Sequence, residues 1–131
     1  GAWDFKIIDL GDFKVGKKLE DTYFGLTDLV SNLISVGILP IVIGGGHDLC
    51  YSIYMAYESF NKGVNIASID ARFDLISEDI SKLNSRNFLG YIVKGSPNHL
   101  NTYTNIGFQS YFVHKDESHE MKKMFFFISE R

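Results

Sequence analysis

The chain has 131 residues, 45% of them hydrophobic and 22% charged, with a formal net charge of −3. This fits one domain with enough chain to bury a sizeable core, and the negative charge gives no reason to expect a nucleic acid or an anionic membrane as partner. A single cysteine, Cys50, excludes an internal disulfide framework and fits a reducing, cytoplasmic setting.

No apolar run approaches the roughly 20 residues needed to cross a bilayer, and no basic start leads into an apolar signal region. Aromatic content is high, with 11 Phe and 7 Tyr. That surplus serves either a large core or a surface covered by further chain or a partner, a second copy included.

In chain order, Phe5–Asp9 reads as a strand and Gly11-Asp12 as a turn. Asp21 or Thr22 can cap a helix over about residues 21–36, in which Tyr23, Leu26, Leu29/Val30 and Leu33/Ile34 recur at three- and four-residue spacing. Gly37 and Pro40 stop it. Ile41-Val-Ile43 has the short, wholly apolar character of a buried parallel strand. Glycines 44–46 follow, then a helix from about Asp48 to Phe60, ended by Gly63. Val64–Ile69 reads as the next buried strand, so residues 41–69 match a right-handed βαβ crossover. Residues 75–84 are polar loop. Ser85 can cap a short helix carrying Phe88, Leu89, Ile92 and Val93, closed by Gly95. Tyr103–Phe108 and Ser110–Val113 read as strand broken near Gly107. A helix from Asp116 or Ser118 to about Met124 and a last strand at Phe125–Ile128 complete the chain. Strands alternating with helices predict a single three-layer α/β/α domain over residues 1–131, with a mainly parallel sheet.

Chemistry concentrates at two strand ends. Gly44-Gly-Gly46 between a strand and a helix can cradle a phosphate, but Leu49 stands where a dinucleotide fingerprint needs glycine, and no Lys-Ser/Thr pair follows. The alternative is a tight turn that needs unusual backbone angles. His47 comes next, and Asp70, Arg72 and Asp74 end the neighbouring strand. If the two strands are parallel neighbours, their carboxyl ends share one rim, and residues 70, 72 and 74 face one way if the extended conformation continues. One imidazole and two carboxylates suit a hard-to-borderline divalent cation such as manganese. The competing reading is a surface acidic pair balanced by Arg72. Cys50, in the first turn of a helix, is either a thiol with a depressed pKa or, preferably, a small buried residue. His99, His114 and His119 sit in polar stretches and read as solvated or loop residues, and Lys122-Lys123 as the wet face of the last helix.

Gly44-Gly-Gly-His-Asp48 followed by Asp70-Ala-Arg-Phe-Asp74 resembles the first two signature motifs of the ureohydrolases, the family of arginase, agmatinase and formimidoylglutamase. Tyr103–Phe112 is similar to a segment of the formimidoylglutamase branch, and the resemblance runs from about Phe5 to Phe127. It implies an α/β domain with two manganese ions at the carboxyl edge of the sheet. The ions share a hydroxide that attacks the carbon of a guanidino or formimidoyl substrate. By the same resemblance His47 matches a histidine ligand of the first metal, Asp70 a carboxylate bridging both metals, and Asp74 a further ligand of the first. Ser85–Asn87 falls where the family places substrate-contacting loops.

Two departures bear on this. The family pattern has histidine where this chain has Arg72, and arginine is never deprotonated and cannot ligate a metal. Its guanidinium can instead pair with Asp70 or Asp74, leaving one metal or none. The late motif Ser/Thr-x-Asp-x-Asp is missing, so the 131 residues read as the N-terminal portion of a longer homologue, inactive by themselves. The expectations are a manganese-dependent C–N hydrolase or, alternatively, a catalytically silent binding or assembly domain with Arg72 as internal counter-ion. A third is a phosphate-binding domain built on Gly44–Gly46.

Overall fold

The computed structural model describes residues 6–75, 81–113, 115–117, 119 and 127–130. The first helix, α1 (Leu19–Ser35), buries Thr22, Leu26 and Val30, which recur every four residues and so share one face. Asp21 and Thr22 hold its start from inside the first turn. The Asp21 carboxylate accepts the Lys18 N–H at 3.1 Å, and the Thr22 hydroxyl accepts the Gly16 N–H at 2.9 Å. At the other end Gly37 takes φ +79°, and the N–H groups of Gly37 and Ile38 close back on the carbonyls of Ile34 and Leu33.

Helix α2 (Leu49–Glu58) packs its Ala56, Leu49 and Ile53 against Leu26, Val30 and Ile34 of α1. The Thr27 hydroxyl adds a hydrogen bond of 3.1 Å to the Ser52 carbonyl. Strand β1 (Val64–Ile69) runs parallel to β2 (Leu100–Phe108), with helix α3 (Phe88–Lys94) in the connection between them. Strand β3 (Phe127–Glu130) adds to the far side of β2, also parallel, giving the order β1-β2-β3. A parallel sheet with helical connections is the α/β architecture the sequence predicts. The main core lies between α2, α3 and β2, where Tyr54, Phe73, Leu75, Phe88, Leu89, Ile92, Tyr103 and Phe108 cluster. A Cβ at Gly90 would run into the Leu75 carbonyl oxygen, so only glycine lets α3 approach the segment after β1 this closely.

Several expected elements differ. Residues 6–9 of the expected first strand and all of residues 41–43 form no strand, and Ile7, Ile41 and Ile43 are 88%, 77% and 93% exposed. A strand exists through its ladder partners, and among the described residues neither segment has one, so the expected βαβ unit over 41–69 is not formed. The observed parallel pair is β1-α3-β2 instead. For the same reason β1 is not buried on both faces: its residues alternate between half-buried and exposed. Residues 110–113 turn rather than extend. The expected last strand is present over Phe127–Glu130, and residues 125–126 lie outside the described residues. Residues 115–117 and 119 are helical, and the rest of that expected helix, with His114 and Lys122-Lys123, lies outside the described residues.

Candidate metal centre

The turn before α2 and the end of β1 bring three side chains to one point. His47 Nδ1 lies 2.8 Å from Asp74 Oδ2 and 3.1 Å from Asp70 Oδ2. The three residues' candidate ligand atoms all lie within 4.8 Å of one another. His47 sits in a tight turn. Gly44 and Gly45 take φ of +94° and +81°, and the Leu49 and Cys50 N–H groups donate back to the carbonyls of Gly46 and His47. The positive angles favour the turn reading of the glycines. Asp48, the next residue, accepts a hydrogen bond from the Tyr23 hydroxyl at 2.5 Å, which ties the turn to α1; burial first, and then this bond, raises the Tyr23 pKa. Phe88 presents its ring edge-on to the imidazole at 5.9 Å.

The second half of the site is a bent loop, not an extension of β1. The Asp70 N–H continues the sheet pairing to the Ile106 carbonyl at 3.2 Å. The Asp70 carboxylate then accepts the Arg72 N–H at 2.9 Å, and the Ala71 carbonyl accepts the Gln109 N–H at 2.9 Å. Asp74 takes φ +54°, a left-handed conformation that costs a non-glycine residue energy and that short polar side chains tolerate best. Its carbonyl accepts the Leu89 N–H at 3.1 Å. The expected alternate-residue geometry therefore fails. Asp70 and Asp74 still converge on His47, but Arg72 does not join them. Its guanidinium lies over the Phe112 ring, 5.4 Å from the centroid, and the ion pairs to the two carboxylates come from His47 instead. The expectation that Arg72 balances the carboxylates is corrected accordingly.

The electrostatics follow from this packing. The hydrogen bond that His47 donates to the Asp74 carboxylate raises the His47 pKa. Partial burial opposes it, and the charges of Asp74, Asp70 and Asp48 add to the rise. Asp74 is buried, and burial pushes its carboxyl above the usual carboxylate range, with the His47 hydrogen bond pulling the other way. One borderline nitrogen and two hard carboxylates form a donor set that fits a divalent cation of the manganese type. A cation between them would take over the charge compensation that His47 now provides.

Sequence reasoning missed the support beneath the loop. Asn105 is fully buried on β2, and its Nδ2 donates to the Arg72 carbonyl at 2.8 Å while Oδ1 has no partner among the described residues. Tyr103, two residues earlier, is 1% exposed and its hydroxyl accepts a longer bond of 3.3 Å from the same amide. The signal was available in the alternation along β2, where Tyr103 and Asn105 fall on one face. Also missed was a cleft of about 340 Å³ lined by Arg72, Asp74, Arg86, Tyr111, Phe112, Val113 and Glu117. Of the other expected residues, Cys50 is exposed rather than buried, although the protein packed around its thiol raises the pKa rather than lowering it. His99 is in a loop but partnered, 3.3 Å from Glu58, and His119 is exposed.

Residues 2–130 match the model of the Arginase family. Among curated proteins, formimidoylglutamase of Geobacillus thermodenitrificans is 36% identical over 73 residues, which cover 53% of this chain and 23% of that protein. Among solved structures, Trypanosoma cruzi formiminoglutamase with Mn2+ aligns at a TM-score of 0.79 and 16% identity, over 88% of this chain and 40% of that one. Formimidoylglutamase from Bacillus subtilis aligns at 0.80 and 16%, over 93% and 39%. These structures share the fold. The matched stretches span 23% to 27% of the first curated relatives' own length. Among the described residues, no helix is long and apolar enough to cross a membrane.

Proposed function

Because the chain belongs to the arginase family, we propose that the full-length protein is a cytoplasmic, manganese-dependent hydrolase that cleaves a formimidoyl or guanidino C–N bond in a small molecule, with His47, Asp70 and Asp74 as metal ligands. The observation that carries this is the convergence of those three donors at the carboxyl end of β1, within 4.8 Å of one another. The curated relatives named formimidoylglutamase favour a formimidoyl amino acid over a guanidino one. A bound divalent cation supplies Lewis acidity there, lowering the pKa of water and polarising the carbon under attack. The chain's own residues do the rest. Asp70 and Asp74 hold negative charge at the rim. Asn105 and the Leu89 N–H fix the loop that carries them, and Phe88 limits the imidazole's rotation and shields one edge of it from water.

A second reading is a metal-poor, catalytically silent domain kept for binding or assembly. Arg72 favours it, because it stands where the resemblance puts a metal-ligand histidine and an arginine cannot ligate a metal. Elemental analysis of the full-length protein after manganese loading and removal of free ions separates the two. Retained manganese together with formamide release from N-formimidoyl-L-glutamate, or urea release from a guanidino acid, is the expected result. No manganese and no turnover, with activity appearing in Arg72→His, would establish the silent domain instead.

A further inference from the structure

A second cavity, of about 180 Å³, lies at the end of α2 away from His47. Its lining holds Tyr51, Tyr54 and Tyr91 together with Met55, Pro97 and one carboxylate, Glu58. Tyr51 and Tyr91 stand nearly at right angles, with ring centroids 6.0 Å apart and planes 79° apart. Among the described residues Glu58 is the one charged side chain of the lining, and no lysine or arginine pairs with it. Its Oε1 accepts the Tyr54 hydroxyl at 2.9 Å and lies 3.3 Å from His99 Nδ1, a contact in which a neutral imidazole can donate and leave the carboxylate's charge in place. That charge reaches the aromatic wall: burial first, and then Glu58, raises the Tyr51 pKa. The cavity also sits where α2 and α3 both end, and helix C-termini carry partial negative charge. The last turn of α2 has no basic residue, and Lys94 at the end of α3 is exposed and outside the lining.

We propose that this cavity binds the methylated ammonium head group of an organic cation, at a site separate from the metal centre. The faces of aromatic rings carry negative potential and attract a cation within about 6 Å of the centroid, and the carboxylate adds Coulomb attraction for the same occupant. The volume is below the roughly 300–1,000 Å³ of pockets that enclose a whole drug-sized molecule, so the cavity takes a head group. An unsubstituted ammonium brings three N–H donors that each need an acceptor, and the Tyr54 hydroxyl is already engaged with Glu58, Asn98 and the His99 N–H. Methyl groups on the nitrogen remove that demand and pack against the tyrosine rings, Met55 and Pro97.

The test uses the full-length protein, with tetramethylammonium, choline and N-acetyl-trimethyllysine amide as probes followed by their methyl signals in proton NMR. Saturable binding with an upfield ring-current shift is expected, about tenfold or more tighter than binding of ammonium or of the uncharged tert-butyl analogue of choline. Tyr51→Leu, Tyr91→Leu and Glu58→Gln are each expected to weaken it about tenfold with circular dichroism unchanged, while Tyr51→Phe keeps it, because the ring and not the hydroxyl makes the contact. If Glu58→Gln loses its fold, the leucine and phenylalanine variants carry the test. Binding unaltered by the leucine substitutions would overturn the site. So would equal binding of the uncharged analogue, or no shift of the methyl signal at millimolar probe. Tighter binding of choline marks a free small molecule as the ligand and tighter binding of the trimethyllysine amide a modified protein segment, and either supports the head-group site. No readout depends on metal or turnover, so loss of the hydrolase reading leaves this site standing.

Discussion

Asn105→Ala tests whether the site is held from beneath. The substitution deletes the 2.8 Å bond from Nδ2 to the Arg72 carbonyl inside a fully buried pocket. Leaving a buried acceptor unpaired costs about 1–3 kcal/mol. The deletion also removes Asn105 Oδ1, itself without a partner among the described residues, which returns part of that cost. The expected net loss is therefore at the lower end, about 1–2 kcal/mol in urea unfolding. Asn105→Asp is expected to do more damage, about 3 kcal/mol or above. It faces the carbonyl with an acceptor-only group and buries a charge within the loop that already carries Asp70 and Asp74. Both substitutions free the backbone between the two carboxylates, so the manganese affinity of the full-length protein is expected to fall about 10–100-fold, the range seen when a ligand's support is removed. Manganese titration followed by electron paramagnetic resonance reads that directly. An Asn105→Ala protein within 0.5 kcal/mol of the parent and with unchanged manganese affinity would refute the reasoning, because the loop would then be held by its backbone bonds alone.

Three further outcomes are expected. Burial and the hydrogen bond to Glu58 push the Tyr54 pKa up from 10.0 to about 12. The fold thus holds the phenol protonated more tightly than the unfolded chain does, and its contribution is complete below pH 10 and falls as the pH rises towards 12. The loss across that window is at most about 2–3 kcal/mol, and Tyr54→Phe is expected to shrink the alkaline loss in circular dichroism while costing about 1 kcal/mol at neutral pH. Equal alkaline sensitivity of parent and variant would contradict this. Leu89, fully buried, is expected to lose about 2–5 kcal/mol on Leu89→Ala. Ile43→Lys, at 93% exposure, is expected to change the stability of this chain by under about 0.5 kcal/mol; a large loss would mean that Ile43 is covered in solution.

The parts of the fold that were legible in the sequence are those decided by local periodicity. Helix α1 follows from a four-residue apolar recurrence closed by Gly37, and β1 from a short β-branched run ended by Asp70. The segments that failed depend on a partner. Ile41-Val-Ile43 has the composition of a central strand, yet composition says nothing about which chain supplies the neighbouring ladder. The candidate site was legible in its donors, since His47, Asp70 and Asp74 are the three side chains that converge. It was illegible in its backbone, because the bend that separates Arg72 from the aspartates comes from the positive φ of Asp74 and from bonds to Gln109 and Asn105, 33 or more residues away in sequence.

That bend also decides what Arg72 is for. Two carboxylates brought to one rim repel each other, by roughly 4 kcal/mol at 4 Å in a partly screened protein environment, so a cation must sit between them. In a straight β-extension Arg72 would be the nearest candidate, and the arginine would be a plug. In the bent loop His47 reaches both oxygens at hydrogen-bond distance, and Arg72 is released to stack on Phe112. The charge requirement of the aspartates is thus met without Arg72, which leaves the place between them to an exchangeable occupant, imidazole or metal. It also leaves the guanidinium over Phe112, in the cleft that Arg86 lines as well. An arginine at this position is compatible with a working metal centre on one condition, that the loop stays bent, and the bonds from Asn105 and Gln109 are what keep it so.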